Sequence, residues 1–130
     1  MSAESERAAP CYTRGLELAT QVGNELEAAH LRFRIAANMA MRGETDAAWP
    51  LLEEALHEAR RLGTPLGESQ ALGFLVERAY REGDLDLAVE LALESAGLAH
   101  EVGWTWWEAG QLETVAELER ERGNLDAAER

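Results

Sequence analysis

The sequence predicts an all-α fold, an α-solenoid of antiparallel helix hairpins. Three observations carry that reading. Ala (23), Glu (21) and Leu (19) fill nearly half of the 130 residues, whereas Ile and Val together number six. Ala and straight-chain residues lose little freedom in a helix, and β-branched residues are the ones that favour strands. Glycines recur with a spacing of 40, at Gly43, Gly83 and Gly123 and again at Gly23, Gly63 and Gly103. Between them lie segments of 17 to 19 residues, most of them bounded by helix-start and helix-stop residues.

Taken in order, helices are expected over residues 4–22, 25–41, 45–62, 65–81, 85–102 and 105–121, with a seventh begun at 125. Pro10 stands inside the first and Pro50 at the equivalent place in the third, so each predicts a local kink. Asn24 opens the second helix with Glu27 three residues on, the pattern of a capping box. Thr64-Pro65 opens the fourth, with proline at the first helical position, where its missing N–H costs nothing. Asp84 and Asn124 are good N-caps for the fifth and seventh. A glycine closes each helix, because glycine tolerates the left-handed conformation that ends one. Connections of two or three residues force neighbouring helices to run antiparallel.

The repeat extends beyond the glycines. Shifting residues 44–83 onto 84–123 gives ten identities in forty, against roughly four expected by chance for this composition. The columns separate core from surface. Ala8, Ala48, Ala88 and Ala128 form one, and Ala19, Ala59 and Ala99 another. Ile35, Leu75 and Val115 form a third, and Leu72 and Leu112 a fourth, in which Arg32 is the exception. These positions fall on one helical face at three- and four-residue spacing, and a lone hairpin could not hide that face.

Gly43, Gly83 and Gly123, followed five residues later by Ala48, Ala88 and Ala128 and preceded by Ile35, Leu75 and Val115, resemble a tetratricopeptide repeat in its long form of about forty residues. Arg42-Gly43-Glu44 and Arg122-Gly123-Asn124-Leu125-Asp126 are close to that family's turn. The middle repeat departs from it, with Val76 where the others carry Ala36 and Ala116. The resemblance implies a right-handed superhelix with repeat units of about 1–23 (partial), 24–63, 64–103 and 104–130 (partial), together one domain over 1–130. It also implies a piece of a larger bacterial regulator. In such arrays the first helix of each repeat lines a concave groove. By that register the groove positions are His30, Phe33, Ala37 and Ala40, then Gln70, Gly73, Glu77 and Tyr80, then Gly110, Glu113, Glu117 and Arg120. Their mixture of aromatic and acidic groups suits a basic or amphipathic helical partner.

Composition narrows the function. A net charge of −13 and an isoelectric point near 4.6 repel a polyanion before any base is read, so no nucleic-acid contact is expected. No apolar run reaches the ~18 residues of a membrane span, and Met-Ser-Ala-Glu-Ser-Glu-Arg lacks a signal peptide's regions; a cytoplasmic protein without membrane attachment is expected. The single Cys11 rules out an internal disulfide. Two Glu-x-x-His pairs, Glu27/His30 and Glu54/His57, have the spacing that di-iron bundles use. In a chain with 21 glutamates such pairs arise readily, and the His57 column reads as exposed, so we expect no metal and no cofactor. No phosphate loop, Gly-x-Ser-x-Gly or Cys-x-x-Cys occurs, and neither Cys11 nor His100 has the oriented base a nucleophile needs. The chain is not expected to be an enzyme.

Trp104-Thr105-Trp106-Trp107 is the least ordinary segment. By the column alignment Trp106 faces inward with Leu26 and Leu66, whereas Trp104 and Trp107 match exposed positions; they are expected either to pack against a further repeat or to anchor a partner, and are candidate interface residues. The first helix lacks a hairpin partner and the last repeat lacks a cap. The chain therefore reads as an excised piece, with Leu16 and Leu18 bare at one end and Trp104, Trp107 and Leu118 at the other, able to pair as a homodimer. The function expected is a non-catalytic scaffold that binds a protein or peptide; the alternative is a module that senses a small-molecule effector in the groove.

Overall fold

The computed structural model describes residues 3–129, with side chains from Arg7 onward. It contains α1 (Ala3–Gln21), α2 (Glu25–Met41), α3 (Thr45–Leu62), α4 (Pro65–Arg81), α5 (Leu85–Glu101) and α6 (Thr105–Glu129). No strand occurs among the described residues. No helix among them is long and apolar enough to cross a membrane. Met1, Ser2 and Arg130, parts of the expected terminal repeats, lie outside the described residues.

The first five turns share one geometry. Gly23, Gly43, Gly63, Gly83 and Gly103 have φ between 68° and 86°. The residue after each glycine donates its N–H to a carbonyl five residues back: Asn24 to Ala19, Glu44 to Met39, Thr64 to Ala59, Asp84 to Ala79 and Trp104 to Ala99, at 2.9–3.0 Å. This left-handed closure satisfies carbonyls that the helix end leaves orphaned. Asn24 accepts from the Glu27 N–H and Asp84 from the Leu87 N–H, so α2 and α5 are capped as expected. Thr64 instead turns its hydroxyl back to the Ala59 carbonyl at 3.3 Å. Helices α1 and α3 continue through Pro10 and Pro50.

The sixth turn is not made. Helix α6 runs through Gly123 to Glu129, and Gly123 is not among the glycines of positive φ. Hence Asn124 is not an N-cap, and no seventh helix begins at 125. Continuing the helix through Gly123 gains one backbone hydrogen bond per residue.

The chain divides into two compact units, residues 1–67 and 68–130. In the first, α2 packs against both α1 and α3. Its buried residues are mostly small, among them Ala19, Ala28, Ala36, Ala37, Ala48 and Ala59, with Phe33 and the fully buried Leu52 as the large ones. Burial of a leucine contributes roughly 1.5–3 kcal/mol. In the second unit Val76 and Ala79 of α4, Leu85, Ala88, Val89 and Ala92 of α5 and Leu118 of α6 form one core, with Leu91 and Val115 packed against it. Leu118 therefore does not lie bare at an end of the chain.

Polar bonds fasten the second unit across its helices. Ser69 and Ser95 are fully buried. Ser69 Oγ donates to the Ser95 carbonyl and Ser95 Oγ to the Ser69 carbonyl, both at 2.7 Å. On the surface Arg122 of α6 reaches Asp86 of α5 at 2.6 Å while also holding Glu119 at 2.9 Å.

Candidate binding cleft

Within the second unit, α4 and α6 leave a cleft of about 310 Å³. Val76 and Leu118, both buried, form its apolar floor. Glu77 and Tyr80 of α4 face it from one side, and Gln111, Thr114, Glu117 and Glu121 of α6 from the other. Helical spacing explains the alignment, because 73, 76, 77 and 80 share one face of α4, and 111, 114, 117, 118 and 121 share one face of α6.

The polar groups of this cleft are mostly acceptors. Tyr80 donates its hydroxyl to Glu121 Oε1 at 3.3 Å. That hydrogen bond, and then the carboxylate's charge, hold the Tyr80 phenol above its ordinary pKa. Glu77 is shared with Arg81 at 2.8 Å, along the outer side of α4. Gln111 Oε1 is buried and has no hydrogen-bond partner among the described residues. A buried carbonyl oxygen left unpaired costs about 1–3 kcal/mol. A donor entering the cleft would relieve that cost.

Trp107 packs against Gly73 of the cleft wall. Its indole N–H donates to Ser95 Oγ at 3.0 Å. Its ring lies so near Gly73 that a Cβ there would stand 2.5 Å from Trp107 Cζ2. Gly73 is thus a notch for the indole as well as part of the cleft wall. Trp104 stacks on Trp107, with centroids 4.8 Å apart and planes at 5°. Trp106 stands edge-on to both and is 68% exposed. The inward-facing expectation for Trp106 is therefore overturned. The α6 residue that turns inward is Trp107, because Gly73 gives it space, while Trp104 is half-buried against it.

Of the groove positions expected from the resemblance, the structure brings Gly73, Glu77, Tyr80 and Glu117 together in this cleft. Gln70 is half-buried on α4, while Glu113 and Arg120 are exposed on α6; none of the three lines the cleft. In the first unit His30 is exposed and Phe33 is buried. Gln111 and Glu121 were not among the expected positions. Counting four residues onward from Glu117 along α6 would have found Glu121, and nothing in the sequence marks Gln111.

The first unit has its own cleft, of about 600 Å³. Leu16, Ile35, Leu51 and Ala55 give it apolar walls. Arg32 closes part of the rim by a two-pronged bond to Glu58, at 2.6 and 3.2 Å. His57 and Glu54 lie on this rim, while His30 and Glu27 are exposed on α2. No group of three or more metal-binding side chains occurs among the described residues. Compared with known proteins, the chain matches no family model and no curated sequence.

Proposed function

We propose that the chain is a non-catalytic helical-repeat module, similar to the long tetratricopeptide repeat, which holds a basic or amphipathic helical segment of a protein partner between α4 and α6. One observation carries the reading. The buried, unpartnered Gln111 Oε1 shares a cleft with the carboxylates of Glu77, Glu117 and Glu121 over the apolar pair Val76 and Leu118. An arginine or lysine side chain satisfies both parts: its head donates to the acceptors while its methylene stem lies on the apolar floor. The net charge of −13 would speed the approach of such a segment. The same reading places the protein in the cytoplasm, where Cys11 stays reduced.

Fluorescence anisotropy with a labelled amphipathic Leu/Lys helical peptide tests this. The chain should bind it with an affinity that falls as salt is raised, and should ignore the Leu/Glu counterpart. A Glu77→Gln, Glu117→Gln, Glu121→Gln triple variant should bind about tenfold or more weakly. Equal binding by the triple variant, or none by the parent, would overturn the proposal.

A second reading, an effector-sensing module, draws support from the cleft of the first unit. Its volume of about 600 Å³ lies in the range of small-molecule sites, which are mostly apolar with a few placed polar groups. A metabolite that raises the thermal midpoint of the parent, and fails to do so for Leu51→Glu, would favour it.

A further inference from the structure

The outer face of α6 is apolar and uncovered where the matching face of α4 is covered. On α4 the positions Ser69, Leu72 and Val76 are buried. Forty residues on, Ala109, Leu112 and Ala116 are all exposed, Leu112 by 46% and the neighbouring Trp106 by 68%. Single exposed apolar residues are ordinary; a stripe that continues over several turns beside an exposed indole marks an interaction surface.

We infer that this face pairs with the same face of a second copy of the chain, α6 against α6 and antiparallel. The charges on the face select that occupant. On the same line of α6 as Trp106, seven and fourteen residues on, stand Glu113 and Arg120, of opposite sign and both exposed. They are seven residues apart, about 10 Å along the helix, and so too far apart to pair within one chain. A two-fold axis between them sets Glu113 of each copy against Arg120 of the other, forming two reciprocal pairs. The same register places Trp106 over the small Ala127 of the second copy, so the indole is covered without a clash. Two paired charges leave the seam neutral although each chain carries −13, and at physiological salt the remaining repulsion is screened beyond about 8 Å. One helix face is smaller than the ~800 Å² per partner of a standard interface, so a micromolar dissociation constant is expected. The cleft between α4 and α6 is lined by other residues of α6, Gln111, Thr114, Glu117, Leu118 and Glu121. The pairing is tested without the peptide, so its outcome is read apart from the function proposed above.

Sedimentation equilibrium of the chain and its charge variants tests the pairing. The parent should reach a dimer with a micromolar dissociation constant. Glu113→Arg alone and Arg120→Glu alone should each weaken it about tenfold or more, because like charges then face each other twice. Mixing the two variants should restore a heterodimer, since every pair is again of opposite sign. Leu112→Glu should be monomeric, with a helical far-ultraviolet spectrum showing that it is folded. A parent that is monomeric at millimolar concentration overturns the inference. So do single variants that dimerise like the parent, or a mixture that fails to recover.

Discussion

Ser69 and Ser95 fasten α4 to α5 by a reciprocal exchange in which each hydroxyl donates to the other residue's carbonyl oxygen at 2.7 Å. Ser95 Oγ also accepts the indole N–H of Trp107 at 3.0 Å, so one buried hydroxyl joins all three helices of the second unit. Ser95→Ala removes a donor and leaves the indole N–H unpaired. Chemical unfolding should register a loss of about 1–3 kcal/mol. In a Trp107→Phe background the same change should cost less, because no donor is then orphaned. Equal costs in the two backgrounds would show that the indole bond contributes nothing.

Gly73, within the unbroken helix α4, makes room for Trp107. By helix propensity alone, Gly73→Ala should stabilise by about 1 kcal/mol. Contact with the indole at 2.5 Å reverses the sign, since overpacking costs about 1–3 kcal/mol. The variant should therefore unfold at lower denaturant than the parent. In a Trp107→Leu background it should unfold at higher denaturant than the single Leu variant. The double-mutant cycle reads the contact directly.

Two glycines forty apart should respond in opposite directions. Gly63 has φ +68°, so Gly63→Ala forces a side chain into the left-handed region and should cost about 1–2 kcal/mol. Gly123 lies within α6, and a Cβ there meets nothing within 4 Å. Gly123→Ala should stabilise by about 0.5–1 kcal/mol. Destabilisation at Gly123 would mean that the chain turns there after all.

These contrasts show what could be read from the residues in advance. The five turns were legible because a left-handed closure needs glycine at one fixed place, and the spacing of 40 repeated that need. Gly123 carries the same signal, yet the helix continues through it, since a glycine permits the left-handed turn without requiring it. The inward reading of Trp106 fails because its column is apolar without being buried: Leu26, Leu66 and Trp106 face alike, and all three are exposed. Trp107 is the one that departs from its column, because Gly73 leaves space for its ring. Ser69 and Ser95 sit in columns of small residues, so the space they occupy was predictable. Their hydrogen bonds to each other were not, since nothing in one strand of sequence pairs residues 26 apart. The acceptor-rich cleft was half visible: Glu77, Tyr80 and Glu117 follow from the repeat register, but Gln111 owes its place to the way α6 lies against α4.

Tyr80 provides a pH signature of the cleft. Its phenol is raised by the hydrogen bond to Glu121 and by that carboxylate's charge. A raised phenol contributes stability that is fully present below the unfolded phenol pKa of about 10 and is lost as pH rises through the folded value. Ultraviolet titration should show a late phenolate component that disappears in Tyr80→Phe and moves to lower pH in Glu121→Gln. An unchanged curve in Glu121→Gln would remove this contact from the account.

The claim that a cationic segment enters the cleft between α4 and α6 is tested most directly by a heteronuclear correlation spectrum of the labelled chain titrated with the Leu/Lys peptide. The largest shifts should fall on Val76, Glu77, Tyr80, Glu117 and Glu121, and the side-chain amide of Gln111 should move as its oxygen gains a donor. Shifts confined to the outer face of α6 or to the first unit, or a spectrum the peptide leaves unchanged, would contradict it.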